Sequence, residues 1–120
     1  MDGEINIKEL KNIVRKFCDD RDWDKFHNAK DLAIGVATEA SELLEHFRFK
    51  SESEIADLFK NQDKLSKISE EIADVFYFLL RFCQKYDIDL SKSLLDKIKK
   101  NEAKYSIEKF KGSNKKYNEE

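Results

Sequence analysis

The chain has 120 residues, 40% of them charged and 40% hydrophobic, and its 23 Lys and Arg nearly balance 25 Asp and Glu for a net charge of −2. That balance offers no general surface for a nucleic-acid polymer, and no apolar run reaches the ~20 residues of a membrane span. Proline is absent and glycine occurs only at Gly3, Gly35 and Gly112, which excludes a meander of tight hairpins and every Gly-rich phosphate loop. The expectation is one all-α domain over residues 1–120.

Apolar residues at Ile5, Leu10, Ile13, Val14 and Phe17 keep helical spacing and predict a first helix ending near Cys18. Residues 19–28 are polar apart from Trp23 and Phe26 and read as an ordered loop. A second helix is expected from about Ala29 to Phe47, packing through Leu32, Val36, Leu43, Leu44 and Phe47. Ser51 and Glu54 have the spacing of a capping box and predict a short helical turn through Phe59. The third helix is expected from about Lys64 to Tyr86, with a wide apolar surface that includes Ile68, Ile72, Val75 and Leu79. After a turn at residues 87–89, a fourth runs from about Leu90 to Tyr105, and a basic, irregular tail follows from about residue 106. Helices this short with such broad apolar surfaces predict a four-helix bundle completed by oligomerisation. Cys18 and Cys83 lack CxxC spacing and are assigned to packing in a reducing cytoplasm.

Charge is unevenly spread. Residues 31–90 carry 13 acids against seven Lys and Arg, whereas residues 91–116 carry nine Lys against three acids. In the acidic part, Glu39 and Glu42 are three residues apart on the second helix, and Glu71 and Asp74 repeat the spacing on the third. Each pair lies on one helical face, its members about 60° apart, and each borders the apolar stripe instead of opposing it. If the two helices are antiparallel, four carboxylates converge, and they cannot all stay ionised without a cation among them. Hard oxygen donors without paired His or Cys favour Mg²⁺, with Mn²⁺ as a substitute. Spacing alone leaves a bland alternative open, in which both pairs are solvated faces of a non-catalytic helical module. A divalent-metal-binding protein without turnover is a third reading. The absence of ExxH and HExxH demotes a di-iron bundle and excludes a zinc protease.

The run Glu39-Ala-Ser-Glu42-Leu-Leu-Glu45, followed by Glu70-Glu71-Ile-Ala-Asp74-Val75, resembles the ExxE…ExxD signature of the MazG-like all-α nucleoside triphosphate pyrophosphohydrolases. Arg21-Asp-Trp23-Asp-Lys-Phe26-His27 is similar to the RDWxxFH loop of the dCTP pyrophosphatase branch. Asp87-Ile-Asp-Leu90, Lys97-Ile-Lys-Lys-Asn101-Glu-Ala-Lys-Tyr105 and Ser113-Asn-Lys-Lys-Tyr117 continue the likeness in order, so that it covers roughly residues 8–119.

This resemblance implies an Mg²⁺-dependent enzyme that splits a nucleoside triphosphate between its α and β phosphorus atoms, releasing the monophosphate and pyrophosphate. It implies Glu39, Glu42, Glu71 and Asp74 as metal ligands. The charge requirements of phosphoryl transfer add a water oriented by one carboxylate, Glu39 or Glu42. Trp23 and His27 fall on positions lining the base and sugar pocket, and Lys97 and Asn101 on positions near the phosphates. Phe49 and Phe78 stand where close relatives carry Trp and Tyr, which keeps stacking faces but loses polar groups. Lys115, Lys116 and Tyr117 are expected to close over the site. By helical spacing His46 shares the Glu39 stripe one turn beyond Glu42 and reads as a residue beside the ligands or on the surface, not as a ligand. The implied assembly is a homodimer or homotetramer and the implied substrate a pyrimidine deoxynucleotide, dCTP first.

Overall fold

A computed structural model describes residues 1–119 and contains six α-helices, one 3₁₀ turn and no strand among them. The chain forms two compact units, Met1–Asp87 and Ile88–Glu120.

The helices begin where short polar side chains can take up free backbone amides. In α1 (Ile7–Asp20), the Asn6 side chain accepts from the Glu9 amide while the Glu9 carboxylate accepts from the Asn6 amide. In α2 (Ala29–Glu45), Asn28 accepts from the Asp31 amide. The Ser51–Glu54 capping box is present and opens α3 (Glu52–Leu58). Asn61 caps α4 (Gln62–Lys85) through the Lys64 amide.

The segment expected to be loop over residues 19–28 is partly helical. Helix α1 continues to Asp20, and a 3₁₀ turn occupies Asp24–Phe26. Between them, Asp22 adopts a left-handed backbone with φ 55°. Asp is one of the residues that tolerates that region, so the chain reverses there without glycine.

The first unit is built on α4, which packs against α2 and α1. Three contacts give the direction of α2 along α4. His27 meets Arg81, Gly35 lies under Phe78, and His46 approaches Glu71. Residue numbers rise on one side as they fall on the other, so α2 and the turn before it run antiparallel to α4. Cys18, Leu32, Ile68, Leu80 and Cys83 form the buried apolar core. Phe47 and Phe59 stack with ring centroids 6.1 Å apart and seat α3 against the end of α2.

The second unit contains α5 (Leu90–Lys104), capped by Asp89, and α6 (Ile107–Phe110), capped by Ser106. Helix α6 lies inside the tail expected to be irregular; the Ser106 side chain takes the Lys109 amide and nucleates one turn. Tyr105 packs edge-on against both Phe110 and Tyr117, and Lys104 lies over the Tyr117 ring.

Candidate active site

The antiparallel register brings the two acidic pairs together. Oxygens of Glu39, Glu42 and Glu71 lie within 4.8 Å of one another. Asp74, one turn beyond Glu71, stands outside this closest set, but its charge reaches both Glu39 and Glu71. The carboxyl of Glu39 is pushed up to about 7, foremost by a hydrogen bond shared with Glu42, then by burial and the surrounding negative charge. Burial, followed by Glu42, also raises Glu71. One oxygen of each of these groups, Glu39 Oε2 and Glu71 Oε2, is buried without a hydrogen-bond partner.

Buried carboxylate oxygens are normally satisfied, and crowded acids are stable as anions only beside positive charge. His46 stands beside the cluster, its Nε2 3.7 Å from Glu71 Oε1. The orphaned oxygens and the all-oxygen donor set therefore suit a hard divalent cation. His46 sits at the edge of the cluster and is half-buried.

Next to the acids is a cavity of about 520 Å³, within the range of small-molecule sites. Ile13, Val14 and Phe17 of α1 form one side, Trp23 another, and Ala73, Asp74, Tyr77 and Phe78 of α4 a third, with Glu39 at the boundary with the carboxylates. The Trp23 ring meets Phe17 edge-on at 5.6 Å, and Phe17 meets Tyr77 in the same way at 6.0 Å. The Tyr77 hydroxyl and Cys18 Sγ are 3.2 Å apart, and burial raises the Tyr77 phenol well above its usual range, keeping it neutral. Phe78 reaches the cavity because Gly35 leaves room for its ring.

Of the residues named from sequence, Glu39, Asp74, Trp23 and Phe78 line this cavity, and Glu42 and Glu71 complete the acidic cluster at its edge. His27 flanks Trp23, its ring 6.5 Å away, and is engaged by α4 from behind. Phe49 does not join them. Its ring is 91% exposed, lies beneath the Arg48 guanidinium, and follows a left-handed backbone with φ 59°. Lys97 and Asn101 lie one helical turn apart on α5 in the second unit, where Asn101 is half-buried and Lys97 exposed.

Sequence reasoning missed the support beneath the Trp23–His27 turn. Arg81 is buried on α4 and bonds His27, Gln84 and Asp24. One signal was available: Arg81 is a lone cation inside the apolar run Val75–Cys83. Such a charge is buried only with partners.

Fold and site together are those of an all-helical protein with clustered carboxylates beside an aromatic-walled cavity. The MazG-like family model matches residues 34–119. dCTP pyrophosphatase 1 of Rattus norvegicus is 26% identical over 114 residues, covering 95% of this chain and 67% of that protein. The Homo sapiens protein of the same name is 26% identical over 116 residues, covering 97% and 68%. The crystal structure of a pyrophosphatase from Archaeoglobus fulgidus superposes with a TM-score of 0.77 at 37% identity, over 83% of this chain and 92% of that one. The chain belongs to the MazG-like family. As the resemblance implied, it is a nucleotide pyrophosphohydrolase.

Proposed function

We propose that this enzyme hydrolyses a pyrimidine deoxynucleoside triphosphate, dCTP foremost, to the monophosphate and pyrophosphate, using Mg²⁺ or, as a substitute, Mn²⁺. One observation carries the reading: Glu39 belongs both to the carboxylate cluster and to the wall of the aromatic cavity. A ligand with its base against Trp23 and Phe78 would thus have its phosphates at the acids.

Glu39, Glu42 and Glu71 would hold the cation, with Asp74 completing the set from the next turn. When bound, a divalent cation supplies neutralisation of phosphate-oxygen charge, the main requirement of phosphoryl transfer. Trp23 and Phe78 bind the base by stacking, and Ile13, Val14 and Phe17 exclude water around it. Glu39 or Glu42 orients the attacking water and accepts its proton. The cavity presents few hydrogen-bonding groups to a base edge, so dCTP preference is modest, with dUTP and dTTP its nearest competitors.

Phe49, Lys97 and Asn101 remain substrate-side residues on the strength of the resemblance. An exposed Phe49, with Ile34, Leu44 and Ile72 also exposed on α2 and α4, supports a homodimer or homotetramer that covers apolar surface. Two free, buried cysteines accord with action on free nucleotides in a reducing cytoplasm, and no helix among the described residues is long and apolar enough to cross a membrane. Pyrophosphate release from a panel of dNTPs and NTPs, with Mg²⁺ and with excess EDTA, tests the reading. Dependence on the cation and best turnover of dCTP are expected. A clear purine preference would overturn the base assignment, and full turnover in EDTA would overturn the metal assignment.

A further inference from the structure

Among the described residues Arg81 is the largest fully buried side chain, 1% exposed, and it does not belong to the Glu39–Glu42–Glu71 cluster. All three of its nitrogens are engaged. Nε donates to His27 Nδ1 at 2.9 Å, one terminal nitrogen donates to Gln84 Oε1, and the other to Asp24 Oδ1 at 2.7 Å. Lys85, one turn further along α4, donates to the backbone carbonyls of Asp24 and His27 and stands 3.2 Å from the same Asp24 carboxylate. Two cations on one helix thus grip both ends of the turn that follows Trp23.

Stability of the core does not account for this arrangement. Burying a guanidinium costs several kcal/mol before its partners compensate, and an apolar side chain of similar volume often packs as well or better. What the arginine adds is geometry. Trp23 is 38% exposed, and its ring meets Phe17 at 5.6 Å and His27 at 6.5 Å, both edge-on. His27, in contact with that ring, is in turn fastened by Arg81. A guanidinium has no acceptor, so His27 Nδ1 must be bare and the ring proton must reside on Nε2. Burial, then the Arg81 and Lys85 charges, lowers the His27 pKa and preserves that neutral form.

We propose that Arg81 is a positioning residue for nucleotide binding: through His27 and Asp24 it sets the Trp23 wall of the cavity and presents His27 as an Nε2–H donor, without itself touching the substrate. The inference rests on the reading of Trp23 as the base shelf. It applies to the grip on this turn, whichever base the cavity prefers.

Trp23 is the only tryptophan, so its fluorescence reports this turn directly, with no substrate present. Arg81→Met and the solvent-side variant Asp24→Asn are compared with the parent by circular dichroism, acrylamide quenching of Trp23, and kcat and KM for dCTP. The expected result for Arg81→Met is parental helicity, increased quenching, and a KM raised about tenfold with kcat little changed, a size usual for residues acting through others. Asp24→Asn should move quenching and KM in the same direction by less, and it decides the matter if Arg81→Met does not fold. Arg81→Lys, which keeps the charge but offers one donor group in place of the fork, should fall between parent and Arg81→Met. Parental quenching and KM in the folded variants would overturn the proposal, as would a fall in kcat at unchanged KM. If the parent turned over no nucleoside triphosphate, the functional reading would fail. Quenching of the free protein would still decide the grip: increased in the variants it stands, unchanged it falls.

Discussion

Gly35 of α2 lies directly beneath the ring of Phe78 on α4: a Cβ at residue 35 would come within 2.5 Å of Phe78 Cδ1 and Cε1 and 2.8 Å of Cγ. Those distances are far inside van der Waals contact, and Cγ is too near the Phe78 backbone to swing clear. The glycine is there for its missing side chain, since the residue sits within a regular helix.

Replacing it tests the packing beneath the cavity. An interior helical Gly→Ala ordinarily stabilises by about 1 kcal/mol, but forced overpacking costs about 1–3 kcal/mol. Gly35→Ala should therefore lower the melting temperature despite its better helix propensity. The displaced Phe78 ring should also raise KM for dCTP. A thermal melt with steady-state kinetics measures both, and a more stable enzyme with parental KM would contradict the assignment.

Glu71→Gln keeps volume and removes an anionic oxygen from the cluster. Loss of a principal electrostatic element lowers kcat/KM by about 100-fold or more, and retained helicity would separate this loss from unfolding. Parental turnover of dNTPs by Glu71→Gln would show that this carboxylate does not hold the metal.

The raised Glu39 carboxyl makes a prediction about pH with a definite sign. Its pKa is about 7 in the folded chain against the ordinary 4.5 of a glutamate, so the metal-free native state holds this proton more tightly than the unfolded state does. The corresponding contribution to stability is complete below pH 4.5 and is lost as pH rises through about 7. Glu39→Gln, which cannot ionise, should be more stable than the metal-free parent at pH 8 and should lose that advantage toward pH 4.5. Melting temperatures at both values check it. Proton competition at the same group should weaken Mg²⁺ binding to the parent below pH 7, as measured by calorimetric titration. An affinity independent of pH between 5.5 and 8 would contradict this.

Trp23→Ala should raise KM for every well-used nucleotide while changing the order of preference little. Base–aromatic stacking contributes about 1–3 kcal/mol and tolerates any base, which corresponds to roughly a 5- to 150-fold effect. Comparison of kcat/KM for dCTP, dUTP, dTTP, dATP and dGTP in parent and variant measures it. An unchanged KM for dCTP would remove Trp23 from the base site.

Much of this was written locally in the chain. The Ser51–Glu54 cap, the all-helical character and the two acidic pairs follow from side chains three or four residues apart, because one helical turn brings those positions together regardless of the surroundings. The segment over residues 19–28 was harder to read. Its turn depends on a left-handed Asp22 and on bonds from Arg81 and Lys85, partners more than fifty residues away. For the same reason only the folded register of α2 against α4 decides that Glu42 and Glu71 share the closest cluster while Asp74 lies beside it, and that Phe78 rather than Phe49 walls the cavity. Helical periodicity assigns a residue to a face. Which oxygen approaches which ring is set by how far one helix slides along another, and that is determined by contacts between distant residues such as Gly35 and Phe78.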